Sequence, residues 1–189
     1  MSKPCIGVFG SAFDPPTLGH QDVLQQAAAH FDKILLVPSA SHAFNKKSQP
    51  FSIRVEMLKH FAQEAEVDTV LEVCELEAQL LENNPQKPVY TFDLLSALEH
   101  LYQGDVQLSF IRGSDNANPD VWRRFYKAKD IEQRWSLFTA RERITARSSK
   151  VRALLKSATS ADKQNSLDKY LLPSIKHFIQ QHKLYQGNP

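Results

Sequence analysis

Residues 7–20 read GVFGSAFDPPTLGH. An apolar run from Cys5 to Gly10 has the character of a buried strand. It passes into a loop carrying Asp14, Pro15, Pro16 and Thr17, and enters a helix through Gly19 and His20. A plain strand-to-helix connection needs far less special chemistry. Gly10 lets the backbone approach a ligand with no Cβ in the way, and Asp14-Pro15-Pro16 stiffens the turn. The helix that follows points its amino end, with free N–H groups and a positive partial charge, at whatever lies above the strand. Thr17 and His20 are three residues apart, so both side chains can face one site. The stretch therefore reads as a phosphate site built from a helix end and two polar side chains. It is not the dinucleotide fingerprint, because no G-x-G-x-x-G follows the strand, and not a Walker A loop, because no Gly-Lys-Ser/Thr closes it. No H-E-x-x-H or other metal-ligand spacing appears.

Outward from this stretch, strand and helix alternate. Leu18 to Phe31 reads as a helix with Val23, Leu24, Ala27 and Ala28 on one face. Lys33 to Val37 (KILLV) is a short apolar run suited to a buried parallel strand and closed by Pro38. A loop from Ser39 to Phe51 carries Lys46 and Lys47, and a helix covers Ser52 to Glu64. Val67 to Val73 is a third strand, followed by a polar loop with Asn83, Asn84, Pro85 and Pro88. A helix from Tyr90 to Tyr102 leads to a fourth strand, Val106 to Ile111, which ends at Arg112-Gly113-Ser114-Asp115. A helix over Val121 to Lys129, a fifth strand over Trp135 to Ala140, and helices over Ser149 to Leu155 and Leu167 to His182 complete the pattern, with a polar linker at 157–166.

This alternation predicts an α/β fold: a Rossmann-like, doubly wound parallel sheet of about five strands, helices on both faces and a small helical C-terminal region. We expect a single domain, with a core over 1–145 and a C-terminal part over 146–189. Ligands in such folds bind beyond the carboxyl ends of the strands, where the unusual residues cluster at 10–20, 38–47 and 112–115.

The 189 residues suffice to bury a core without staples. A net charge of +2 is too near neutral for a nucleic-acid coat or an acidic membrane, so any anion site must be a local cluster. Cys5 and Cys74 read as buried free thiols suited to a reducing cytosol. No signal peptide or membrane-spanning run is evident, and a cytoplasmic location is expected.

A second cluster supports the first. In ARSSKVR (146–152), Ser148 can cap a new helix and Arg152 lies one turn along the same face. Arginine suits bidentate phosphate binding. Two helix amino ends on one sheet edge, with Lys46, suggest a polyphosphate ligand.

GVFGSAFDPPTLGH resembles the G-x-F-D-P-x-(H/T)-x-G-H signature of the nucleotidyltransferase superfamily, and ARSSKVR resembles its second signature, I-S-S-T-x-(I/V)-R. VYTFDLL (89–95) resembles the S-Y-T-x-D-T-L of the bacterial nicotinate mononucleotide adenylyltransferases, and IRGSD (111–115) followed by Trp122 resembles their I-G-x-D…W pattern. The resemblance covers nearly the whole chain. It implies that the 5′-phosphate of a pyridine mononucleotide attacks the α-phosphorus of ATP and pyrophosphate leaves. It implies catalytic roles for Thr17 and His20 on the ATP phosphates, for Lys46 on the leaving group and for Arg152, with Ser148 and Ser149, on the β- and γ-phosphates. Gly10, Ser11, Phe13, Gly19, Gly113 and Asp115 complete the implied ATP site. Tyr90, Thr91, Trp122 and Arg123 form the implied pyridine mononucleotide site, and Mg²⁺ bridges phosphate oxygens. Trp122 has an alternative reading as core, Tyr90 and Thr91 as a helix start, and Arg123 as a surface charge. Arg54 reads as a surface or structural pair, and His42 is the one other histidine in a ligand-side loop.

The chain departs from the family pattern at three places. Ala146-Arg147 replace Ile-Ser, adding a charge that either grips phosphate or blocks the site. The segment between the fifth strand and this signature is cut to Arg141–Thr145. Arg123 follows Trp122 where the family often has an aromatic residue. The alternatives are another acceptor such as phosphopantetheine, whose adenylyltransferases also carry Thr-x-Gly-His, or a nucleotide-binding homologue that has lost turnover. The cytidylyltransferase signature R-T-x-G-I-S-T-S is absent.

Overall fold

The computed structural model describes residues 2–40, 48–157 and 166–186. Five strands, β1 (Cys5–Ser11), β2 (Lys33–Pro38), β3 (Val70–Val73), β4 (Gln107–Arg112) and β5 (Ser136–Thr139), pair in parallel in the order β3-β2-β1-β4-β5. β1 and β2 read as largely apolar runs because both of their faces are covered. Successive residues point to opposite sides. Phe9, Ile34, Leu36 and Ile111 enter one core, and Ile6, Val8, Leu35, Val37, Leu108 and Phe110 enter the other.

The first core is closed by α1 (Leu18–Ala27), α2 (Phe51–Glu64), α8 (Ser148–Ser157) and α9 (Pro173–Gln181), through Leu24, Met57, Phe61, Val151, Ile175 and Phe178. The second is closed by α4 (Thr91–Leu101) and α7 (Ala128–Arg134), through Leu94, Leu95, Leu98 and Ile131. Three further helices, α3 (Leu76–Asn83), α5 (Ser114–Ala117) and α6 (Pro119–Trp122), lie in the connections. The chain steps outward from β1 to β3 and then returns to place β4 on the other side of β1. The carboxyl ends of β1 and β4 therefore frame the switch point where open α/β sheets bind ligands.

The doubly wound parallel sheet is as expected, and several boundaries are not. Helix α1 stops at Ala27, and a 3₁₀ turn over Ala28–His30 finishes it. The third strand is only Val70–Val73, which among the described residues is an edge strand paired to β2. The polar loop expected after it begins with α3, whose Glu77 is buried. The single helix expected over 121–129 is replaced by α6 and α7. Pro119 starts α6 under an Asn118 cap, and Lys127 takes a left-handed conformation at φ 54° before α7. Pro173 splits the expected 167–182 helix, because proline has no N–H to continue a helix and is tolerated in the first turn. Cys5 and Cys74 are free and half-buried, not fully buried as expected. Among the described residues, no helix is long and apolar enough to cross a membrane. Lys46, Lys47 and His42 lie outside the described residues, as does the linker from 158 to 165.

Candidate active site

A cavity of about 270 Å³ opens at the carboxyl ends of β1 and β4. Gly10 and Ser11 line it from β1, Gly19 and His20 from α1, Gly113 from the turn after β4, Asp115 from α5, and Arg147 and Ser148 from the start of α8. It thus collects the amino ends of two helices, whose first N–H groups have no intrahelical partner.

His20 sits in the first turn of α1, half-buried, with its ring 4.9 Å from that of Phe13 and 6.0 Å from that of Phe9. Phe13 holds a left-handed backbone conformation, φ 47°, which a bulky residue rarely adopts. Burial of the His20 ring lowers its pKa to about 4. The imidazole is therefore neutral at pH 7. Its Nδ1 accepts the Thr17 backbone N–H at 3.0 Å, which places the ring proton on Nε2. Nε2 lies 3.2 Å from Ser11 Oγ on the cavity side. His20 is thus a fixed, neutral hydrogen-bond donor facing the cavity.

Thr17 is fully buried beneath this ring. Its hydroxyl lies 2.9 Å from His20 Nδ1 and donates to the Ala146 carbonyl at 2.7 Å. Gly19 is required by the same contact, because a Cβ there would stand 2.5 Å from the Ala146 oxygen. The first motif is joined to the second twice more. Ser148 Oγ donates to the Pro15 carbonyl at 2.7 Å, and Arg152 donates to the Asp14 carbonyl at 2.6 Å.

Behind the cavity, the Asp14 carboxylate accepts the Tyr185 hydroxyl at 2.6 Å. Burial and this hydrogen bond both push the phenol's pKa up, so it stays a donor. Arg54 is almost wholly buried and donates to the carbonyls of Ala12, Ser39 and Gln49. The structural reading of Arg54 is the observed one, with backbone carbonyls as its partners.

The short 141–145 connection is folded against α1. Arg143 pairs with the buried Asp22 carboxylate, Nε to Oδ1 at 2.7 Å. Gln26 both accepts the Arg141 N–H at 3.0 Å and donates to its carbonyl at 2.8 Å. Arg147 reaches across the cavity to Asp115 at 2.8 Å, and to Glu142 at 2.9 Å.

Of the residues singled out from sequence, Gly10, Ser11, Gly19, His20, Gly113, Asp115 and Ser148 share the cavity lining. Thr17, Phe13 and Arg152 stand behind it as supports. Ser149, Tyr90, Thr91, Trp122 and Arg123 are not on the lining. Ser149 is exposed, and Thr91 opens α4. The Tyr90 ring lies 4.8 Å from that of Tyr126. Trp122 is a core residue: Phe110 and Phe125 flank its ring, Arg112 lies over it at 4.3 Å, and its Nε1 donates to Glu132. Arg123 is exposed and paired with Asp120. Asp22, Arg143 and Tyr185 were not anticipated. A carboxylate on the inward face of α1 was the one available signal for Asp22; nothing local marks Tyr185.

The sequence model of the family described as cytidylyltransferase-like matches residues 8–154. A Bacillus subtilis protein named nicotinate-nucleotide adenylyltransferase is 39% identical over 116 residues, 58% of this chain and 56% of that one. The chain thus spans about half the length of this relative. A solved structure from Vibrio parahaemolyticus, assigned as a nicotinate-nucleotide adenylyltransferase, superposes with a TM-score of 0.78 at 28% identity, covering 98% of this chain and 97% of that one. The Plasmodium falciparum nicotinic acid mononucleotide adenylyltransferase complexed with NaAD has the same fold, with a TM-score of 0.73 at 18% identity over 96% of this chain and 97% of that one.

Proposed function

Because the chain belongs to the cytidylyltransferase-like family, we propose that it is an adenylyltransferase of NAD biosynthesis, transferring AMP from ATP to nicotinate mononucleotide and releasing pyrophosphate. The observation that carries this reading is the neutral His20 Nε2–H, facing a cavity framed by two helix amino ends. The acceptor's 5′-phosphate has a second pKa of about 6 and is mostly dianionic at pH 7. It therefore needs no general base. One of its oxygens forms a bond to the α-phosphorus, the bond from the α-phosphorus to the β-bridging oxygen breaks, and the electron pair leaves with pyrophosphate.

His20 donates to an α-phosphate oxygen, where charge builds in the transition state. A donor fixed in a partly water-excluded site loses little in reorganisation. The amino ends of α1 and α8 take the remaining phosphate charge. Arg152, held on the Asp14 carbonyl, lends its charge from behind the loop. Lys46 is proposed for the leaving group by motif alone.

Mg²⁺ is proposed as part of the ATP substrate. Of the carboxylates on the cavity lining, Asp22 is buried and held by Arg143, while the more exposed Asp115 and Glu142 share Arg147. Among the described residues, no group of three or more His, Cys, Asp or Glu gathers as a metal cage. Mg²⁺ entering with ATP would neutralise part of the phosphate charge.

The nicotinate acceptor is favoured by the activity named for the Bacillus relative and by the VYTFDLL resemblance. The shortened segment before Arg147 does not argue for lost turnover, because Asp22, Gln26 and Thr17 bind it so that it forms part of the cavity wall. The reading also implies a cytoplasmic enzyme. To test it, the protein is incubated with ATP, Mg²⁺ and one of nicotinate mononucleotide, nicotinamide mononucleotide or phosphopantetheine, and products are identified by mass. The expected main product is the nicotinate adenine dinucleotide. Product from phosphopantetheine alone would overturn the acceptor, and no adenylylated product from any would overturn the reaction.

A further inference from the structure

Two arginines, Arg143 of the short connection and Arg147 just beyond it, meet carboxylates at the cavity on very different terms. Arg143 pairs with Asp22, whose side chain is 3% exposed, and this pair fastens the connection to α1. Arg147 pairs with Asp115 and Glu142, whose side chains are 66% and 38% exposed. Its guanidinium faces Asp115 with two nitrogens, at 2.8 and 3.2 Å, and Glu142 at 2.9 Å. All three side chains line the cavity, and Arg147 stands directly before α8.

Ion pairs this exposed contribute little to stability, because water and salt screen them. They are therefore easily exchanged for a stronger anion. A triphosphate carries several negative charges and offers the paired oxygens that a planar guanidinium grips best. The exchange also relieves Asp115. Once Arg147 turns to phosphate, that carboxylate regains its acceptor capacity for hydroxyl groups of the entering nucleotide.

We propose that Arg147, which stands where the resembled signature has serine, is a nucleotide-binding residue: Asp115 and Glu142 hold it ready, and it transfers to the β- and γ-phosphates when ATP enters. This inference rests on the ATP-dependent reading of the site. It takes the first of the two expectations for the extra charge, grip over blockade. It also gives Glu142 a task, as a competitor that keeps the guanidinium at the cavity and weakens its hold on phosphate.

The test is calorimetric titration of the full chain and its variants with Mg·ATP and, separately, with AMP. Arg147→Ser installs the residue usual in the resembled signature. It is expected to weaken ATP about tenfold and leave AMP within about twofold, with an unchanged melting temperature. Glu142→Gln is expected to act oppositely and tighten ATP by about two- to threefold. ATP binding equal to or tighter than the parent's in Arg147→Ser would overturn the inference. So would parallel losses for ATP and AMP. The functional reading fails separately if the parent binds ATP and Arg147→Ser weakens it as expected, yet no acceptor is adenylylated. A parent that binds no ATP overturns both.

Discussion

An imidazole in water titrates near 6.5, and His20 is held down to about 4 by burial beside Phe9 and Phe13. The unfolded chain takes up this proton as pH falls below about 6.5, while the folded chain resists it. The stability linked to a neutral His20 is therefore complete above about 6.5 and is lost as pH falls toward 4, by at most about 3 kcal/mol. Gly19 carries an equally specific demand. Its missing Cβ makes room for a backbone oxygen, that of Ala146, which would otherwise be 2.5 Å away. A carbonyl in a packed connection cannot swing aside as a side-chain tip can. Gly19→Ala is expected to cost about 2 kcal/mol or more in urea unfolding, as overpacked sites do, and to lower turnover by separating Thr17 from Ala146. Gly113→Ala is the control for stability, since a Cβ there meets nothing within 4 Å.

The inner strands β1 and β2 were the most legible elements, because a strand covered on both sheet faces is largely apolar and needs no periodicity to be recognised. Helix α3 escaped notice because its residues are mostly half-buried or exposed and its one fully buried side chain, Glu77, is a carboxylate. That carboxylate accepts the Ala40 N–H at 2.9 Å, tying α3 to the chain just beyond β2. Burial raises its pKa from 4.5 to about 7. The folded chain thus keeps a proton that the unfolded chain gives up above about 4.5. Stability from this group is full below 4.5 and is lost as pH rises through 7. Glu77→Gln keeps an oxygen for Ala40 but cannot ionise. Its stability relative to the parent should grow between pH 5 and 8 by up to about 3 kcal/mol, read from urea unfolding at each pH. A difference that shrinks with pH would contradict the assignment. The helix expected over 121–129 departs for another reason: whether such a short polar stretch forms one helix or two depends on local turns such as the left-handed Lys127.

The parts of the candidate site that could be read in advance belong to two short motifs, each a strand end or helix start with its own local signal. The parts that could not are long-range. Tyr185 meets Asp14 across 171 residues, and Arg143 meets Asp22 across 121. Trp122 matched a motif, yet its ring is enclosed by Phe110, Phe125 and Arg112, which only the packed fold reveals. The C-terminal segment therefore belongs to the site's support. Tyr185→Phe removes one hydroxyl and leaves the ring in the apolar cluster. It should cost about 1–3 kcal/mol, because buried Asp14 loses a short hydrogen bond. It should also raise the KM for ATP more than that for the acceptor. Thermal melts and steady-state kinetics read both effects, and equal KM changes would mean that Tyr185 serves the fold alone. The claim on which everything else depends is that adenylyl transfer occurs at His20. The first measurement is pyrophosphate release from ATP and nicotinate mononucleotide by the parent and by His20→Ala, alongside their melting temperatures. Loss of a fixed transition-state donor predicts a fall in kcat of roughly 10²–10³ with the fold retained. A folded His20→Ala protein that turns over within a few-fold of the parent would contradict it.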